Sequence, residues 1–304
     1  MKHFILIILS FYTGAIYAQI QPSFTNYIVC ANGYNPAFAG SRDALAFAML
    51  YRNQWAGIEG SPSYYFLTAD AQLRNQKVAL GAVLSSEEYG ITKKQNMRFN
   101  YAYRIPVSRG LLSMGLGGGI ALLTSRFSEI KTVDEGDRIF THAKENHLLP
   151  AASAGLYYHT NRMFSGISIP ELLVYTHNSG NKNAAITSTP QNYNYYLVAG
   201  YHPVYNENFR LLTSTLMKYQ GQNGLSPEFT VFTIFPEVMA FGLSYRTDHA
   251  LISMLRVDLS RQFKISYGYE YSSGALSQYG NGTHEIMLHY EFSYVIKAVN
   301  PRFR

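Results

Sequence analysis

Apolar and polar residues alternate in short runs along most of this chain, and that period of two is the mark of extended strands with two unlike faces. In Lys264–Ser272, KISYGYEYS, the residues Ile265, Tyr267, Tyr269 and Tyr271 share one face. Lys264, Ser266, Gly268, Glu270 and Ser272 share the other. RFNYAYRI sets Phe99, Tyr101, Tyr103 and Ile105 against Arg98, Asn100, Ala102 and Arg104, and EIMLHYEFSY sets Ile286, Leu288, Tyr290, Phe292 and Tyr294 against Glu285, Met287, His289, Glu291 and Ser293. About fourteen such segments are expected, beginning near Ala44, Ser63, Lys77, Lys94, Leu111, Ala151, Met163, Gln191, Glu207, Pro227, Glu237, His249, Gln262 and Thr283. Phe209–Tyr219 does not divide cleanly. Leu112–Leu123 places Gly115, Gly117 and Gly119 on one face, which predicts a crowded interior and not a phosphate loop, since no Lys-Ser/Thr follows.

Alternation alone fits both a soluble sandwich, with its apolar face inside, and a membrane barrel, with its apolar face in lipid. The connections separate the two. They run alternately long and short: AGIEGSP then RNQ, SSEEYGIT then VSRG, 128–149 then NR, 176–189 then YNEN, GQNGLS then FPE, and SR then SGALSQYGNG, with TDH at 247–249 the exception. Short turns at one rim and long loops at the other, with an even number of strands, predict an all-β transmembrane antiparallel barrel of about 14 strands whose termini are both periplasmic. The charged residues Arg98, Arg104, Arg246, Lys264, Glu270, Glu285 and Glu291 then face the lumen.

Composition agrees with a barrel. The chain is 15% aromatic with 26 Tyr and only 14% charged, where soluble domains are nearer a quarter charged. No window holds the roughly 18–20 apolar residues of a spanning helix. MKHFILIILSFYTGAIYA reads as a signal peptide over residues 1–18, with Lys2 before a short apolar run and Ala18 at the cleavage point. The remaining divisions are an N-terminal periplasmic segment at 19–43, the barrel at 44–296 and a periplasmic tail at 297–304. The formal net charge of +6 is spread without a basic tract, so nucleic acid is not an expected partner. Outer-membrane lipid is. The single Cys30 excludes an internal disulfide and reads as a small packed residue.

Candidate chemistry is thin. Val133–Arg138, VDEGDR, with His142, Glu145 and His147, offers oxygen and imidazole groups, yet the spacing fits no calcium loop or zinc helix and reads as a solvated loop. Nine His and many Ser come without a GxSxG or a distinguished pair, so no enzyme, metal or cofactor is expected.

Two stretches carry more than architecture. NGYNPAFAGSRD at 32–43, with LYRNQWAGIEGSP from Leu50 and TADAQL from Thr68, resembles the opening of the PorP/SprF family of type IX secretion and gliding proteins, and HEIMLHYEF followed by NPRFR resembles its ending. Cys30 and the final Phe303-Arg304 depart mildly from that pattern. The resemblance implies an outer-membrane protein of a Gram-negative bacterium that helps to export or retain large surface adhesins, with the adhesin or its C-terminal signal domain and periplasmic type IX machinery as partners. A passive porin or ligand transporter is the alternative. Both blocks are assigned to the periplasmic side, which makes Asn35, Pro36, Gly40, Arg52, Gln54, Trp55, Asn300, Pro301, Arg302 and Phe303 partner-binding candidates. Turn and rim-building roles compete evenly with recognition at Asn35, Pro36, Gly40, Arg52, Gln54 and Trp55.

Overall fold

The computed structural model describes residues 24–42, 44–74, 76–126, 145–176, 185–187, 189–221, 224–273 and 279–292. Its strands are β1 (Leu45–Asn53), β2 (Ser63–Gln72), β3 (Val78–Tyr89), β4 (Thr92–Val107), β5 (Gly110–Ser125), β6 (Glu145–His159), β7 (Met163–Ile169), β8 (Val174–Thr176), β9 (Ala185–Thr187), β10 (Asn194–Tyr205), β11 (Arg210–Gln220), β12 (Gly224–Phe235), β13 (Met239–Arg246), β14 (Ala250–Asp258), β15 (Phe263–Ser272) and β16 (Thr283–Phe292). Strands β8 and β9 form a separate hairpin, and the others close one 14-stranded antiparallel barrel. Closure joins β1 to β16, from Leu45 opposite Phe292 to Asn53 opposite His284. No sheet edge of the barrel is left unpaired, which is what a strand in lipid requires. No helix among the described residues is long and apolar enough to cross a membrane.

The outward faces of the barrel strands are largely apolar. On β4, Phe99 and Tyr101 are exposed while Asn100, Ala102 and Arg104 are buried; on β13, Met239, Phe241, Leu243 and Tyr245 are exposed and Ala240, Ser244 and Arg246 are buried. The same inversion answers for KISYGYEYS: Tyr267 and Tyr271 point out, and Ser266 and Glu270 point in. Phe209–Tyr219, which did not divide by eye, also alternates, with Leu212, Ser214, Leu216 and Lys218 inside.

One rim consists of short connections at 73–77, 108–109, 160–162, 206–209, 236–238 and 259–262, and the chain enters and leaves the barrel at that rim. The opposite rim is less regular than the sequence suggested. Strand β3 runs on to Tyr89 and turns at Gly90-Ile91, with Gly90 at φ +52°, so SSEEYGIT is mostly strand. The connection at 221–223 is short as well, and β6 begins at Glu145, inside the stretch expected to be loop. Strands β4 and β5 each reach 16 residues, beyond the roughly 9–11 that cross a bilayer. The wall is therefore tallest over β3–β6.

The largest departure concerns 19–43, expected as a periplasmic segment. Its described part, Phe24–Arg42, lies inside the barrel as a plug. Tyr27, Cys30, Ala31, Tyr34, Ala37 and Ala39 are buried, together with wall residues such as Leu50, Phe66, Tyr157, Tyr196 and Met287. The physical reason is composition: a stretch with this many apolar side chains and few charges loses less by packing in the lumen than by standing in water.

Candidate functional site

The plug has little repeating structure of its own. Two single 3-10 turns, Ala31–Gly33 and Pro36–Phe38, are its regular parts, so its backbone groups need partners from the wall. The second turn begins at Asn35, whose side chain accepts from the Ala37 amide at 3.0 Å and donates to the Leu156 carbonyl at 3.1 Å, with Pro36 in the first helical position. Asn35 thus caps the turn and ties it to β6.

Other ties run round the barrel. Glu285 on β16 accepts from the Thr25 amide (2.9 Å), the Asn26 amide (3.0 Å) and the Asn26 side chain (2.9 Å). Tyr27 reaches Ser214 at 2.7 Å and donates to Thr230 at 3.2 Å. Asn32 donates to Thr68 at 2.8 Å, and Asn100 donates to the Asn32 carbonyl and side-chain oxygens at 3.0 and 2.8 Å. The Gly40 amide donates to Asp70 at 2.8 Å, and Arg104 donates to the Gly40 carbonyl at 2.8 Å and to Gln72. Arg98 donates to the carbonyl of Gly33.

Inward-facing glycines make room for this segment. A Cβ on Gly115 would stand 2.1 Å from the Ala37 nitrogen, and one on Gly155 would stand 2.2 Å from Asn35 Oδ1. Gly118, on the outer face of the same strand, would meet nothing within 4 Å. The crowding expected at Gly115–Gly119 is found at all three inward glycines: the plug fills the space at Gly115, Ser153 and Asn100 do so at Gly117, and the Met97 backbone at Gly119.

Beneath these contacts lies a buried charge network. Arg52 pairs with Glu270 at 2.8 Å and Glu285 at 3.5 Å, and Arg246 pairs with Glu270 at 2.5 Å, Asp248 at 2.9 Å and Glu228 at 3.8 Å. With Lys218 also buried among them, the cations Arg52, Lys218 and Arg246 face the carboxylates Glu228, Glu270 and Glu285. Basic and acidic groups set against one another are what a desolvated lumen tolerates. Through Glu285 the network holds the plug, and Arg52 adds a bond to the Thr25 hydroxyl at 3.2 Å.

These positions correct part of the partner-binding assignment. Arg52 is 2% exposed, inside the network, and does not present itself to a partner. Gln54 and Trp55 follow the end of β1 at the rim opposite to the chain's entry, where the Trp55 and Ala56 amides bond Thr283 and Gly282. The sequence argument put all three on the periplasmic side with the N-terminal block, but one strand crossing separates them from it. Asn35, Pro36 and Gly40 are all buried between plug and wall. Asn300, Pro301, Arg302 and Phe303 lie outside the described residues.

The residues assigned to the lumen do face inward. Arg104, Arg246, Glu270 and Glu285 are buried. Arg98 is half-buried, and Lys264 and Glu291 pair at 3.3 Å near the entry rim. Sequence reasoning missed Lys218, whose strand shows no clean alternation in sequence, and Glu228, and it did not foresee the plug contacts of Asn32, Asn100 and Asp70, whose partners are distant in the chain. Cys30 is fully buried with its Sγ 3.6 Å from Met287 Sδ, and burial raises the thiol pKa. Residues 133–138 and 142 lie outside the described residues; Glu145 and His147 are 3.6 Å apart at the start of β6, and no group among the described residues is suited to hold a metal ion.

Among the described residues a cavity lies on each side of the plug. One, of about 330 Å³, opens toward the long-loop rim and has Phe24, Gly33 and Tyr34 as its floor, with Lys94 bridged to Glu171 at 2.5 Å. The other, of about 360 Å³, lies on the far side of the plug toward the short-turn rim.

A closed barrel with apolar exterior, charged interior and an internal plug is an outer-membrane type of protein. The chain belongs to the PorP/SprF family of type IX secretion system membrane proteins, whose model matches residues 16–290. Among curated proteins, none matches the chain. Solved structures with a similar fold include the CymD monoaromatic hydrocarbon channel (11% identity, TM-score 0.49, 90% of this chain and 95% of that one). Acinetobacter baumannii Omp33 is another (7% identity, TM-score 0.46, 83% and 99%), as is the KdgM porin in complex with oligogalacturonate (7% identity, TM-score 0.38, 82% and 99%). Those likenesses are of the barrel as a fold.

Proposed function

We propose that this chain serves type IX secretion as a closed outer-membrane barrel that assists export or surface retention of large adhesin-like cargo by binding cargo or periplasmic machinery, and that nothing large passes through its own lumen. The observation that carries this reading is the plug. Residues 24–42 cross the lumen and bond to β1, β2, β4, β6, β11, β12 and β16, so a polypeptide has no continuous path. In this reading the short-turn rim faces the periplasm, as in other outer-membrane barrels. The long-loop rim, with Gln54 and Trp55, faces outward toward displayed cargo.

A passive porin shares the fold and differs in what it conducts. The purified barrel in a planar bilayer is expected to show no stable ion conductance, and deletion of the gene is expected to leave a surface adhesin undisplayed or degraded with outer-membrane permeability nearly unchanged. Steady porin-like conductance together with normal adhesin display in the deletion strain would reverse the assignment.

A further inference from the structure

Barrel lumens are ordinarily polar, yet both cavities beside the plug mix charged and apolar side chains. In the long-loop cavity Lys94 is bridged to Glu171. The cavity toward the short-turn rim has a broad apolar wall. Phe164, Val198, Leu212, Phe232 and Ile234 turn inward to line it. From the plug, Ile28, Val29 and Phe38 close it on the other side. Water gains nothing from such a wall, and an apolar occupant does.

Charge at its mouth narrows the occupant. Arg256 is paired with Asp258 at 2.8 Å and Lys264 with Glu291 at 3.3 Å. Arg210 lies over the Tyr205 ring at 4.4 Å and donates to the Asn206 carbonyl at 3.4 Å. No carboxylate of the described residues lies within ion-pair distance of it. A guanidinium beside an apolar recess suits a carboxylate attached to an apolar body. Asn26 and His202 also line the cavity, and an amide and an imidazole would meet peptide amides better than a plain acyl chain.

We propose that this cavity is a docking site for an apolar peptide segment bearing a carboxylate, entering from the short-turn rim with Arg210 as its charge partner. The proposal rests on the secretion reading only for why such a peptide would reach this rim. Residues 293–304 are the competing occupant, since they follow β16, whose Glu291 pairs with Lys264 of the cavity lining. They carry Lys297, Arg302 and Arg304 and no acidic side chain, so their side chains are repelled by Arg210.

The test uses the full mature barrel in lipid nanodiscs and fluorescence anisotropy of dansyl-Gly-Leu-Phe-Ile-Asp, whose dye is uncharged at neutral pH, compared with the same labelled peptide ending in Asn-amide, which has no carboxylate. Saturable binding is expected, at least tenfold tighter for the acid. Arg210→Gln should remove that preference, and Phe232→Ser should weaken both peptides about tenfold. Arg261→Gln, on an exposed turn, should change neither, and heat-modifiable migration checks that each variant is folded. No binding, equal binding of the two peptides, or a preference that survives Arg210→Gln overturns the proposal. Displacement of the probe at lower concentration by decanoate assigns the cavity to a fatty acid, and displacement by the peptide SYVIKAVNPRFR assigns it to the chain's own tail; either outcome also overturns it. Binding is read on the purified barrel and secretion on the deletion strain, so one can fail without the other.

Discussion

Glu285→Gln should loosen the plug while leaving the barrel closed. The wild-type carboxylate accepts three hydrogen bonds from Thr25 and Asn26 and faces Arg52 at 3.5 Å, at 0% exposure. Oε1 takes both Asn26 donors and Oε2 takes the Thr25 amide. Glutamine has one oxygen, and its better orientation keeps that oxygen toward Asn26 and turns an NH2 toward the Thr25 amide and the guanidinium. One charge-assisted bond is then lost, worth about 1.5–3 kcal/mol, and the two that remain become neutral and weaker. A total near 3 kcal/mol corresponds to roughly a hundredfold in the equilibrium for local opening. Hydrogen exchange by mass spectrometry on the barrel in nanodiscs reads that opening directly. Amides of the first half of the plug should exchange about a hundredfold faster, with strand amides unchanged. If exchange there rises less than threefold in the folded variant, apolar packing alone holds the plug, and the polar anchoring argument is wrong.

Cys30 should resist maleimide in the folded protein and react after heating, and Gly115→Val, whose side chain would occupy the place of Ala37, should make it reactive in folded barrels. Lipid-face depth should show in urea unfolding from vesicles: Leu243→Arg at mid-strand is expected to cost about 2–4 kcal/mol, and Leu225→Arg near the rim about 0–1 kcal/mol; equal costs would place β12 and β13 wrongly in the bilayer. Trp55→Ala should lower adhesin display with the amount of folded barrel unchanged, as quantified in one strain by surface labelling and heat-modifiable migration; a parallel fall in both would make Trp55 a rim-building residue.

Most of the barrel was legible because its rule is local. A strand in a barrel wall has lipid on one side, so Phe99, Tyr101 and Tyr103 must be apolar whatever the neighbouring strands are, and a period of two reveals them. Loop length is less constrained: a hairpin that continues past the bilayer, as β3–β4 does to Gly90, looks in sequence like a long polar loop. SSEEYGIT was misread for that reason. Arg52 was misassigned by a topological slip, since nine strand residues carry the chain from one rim to the other.

The plug was harder to read, because a segment that packs against many strands at once needs no period. Phe24–Arg42 shows none; its buried residues, Tyr27, Cys30, Tyr34 and Ala37, each meet a different part of the wall. Two signals were nevertheless present. The segment holds too many apolar residues for a solvated extension, and glycine recurs on inward faces at Gly81, Gly115, Gly155 and Gly268, where an added Cβ would strike Asn32, Ala37, Asn35 or Thr25. A glycine on the inner face of a barrel strand weakens the strand unless something approaches closely. Several such glycines therefore imply a body inside the barrel. In this chain the one described segment outside the wall with matching apolar content is the plug, so its place follows from the glycines and its own composition together, though from neither alone.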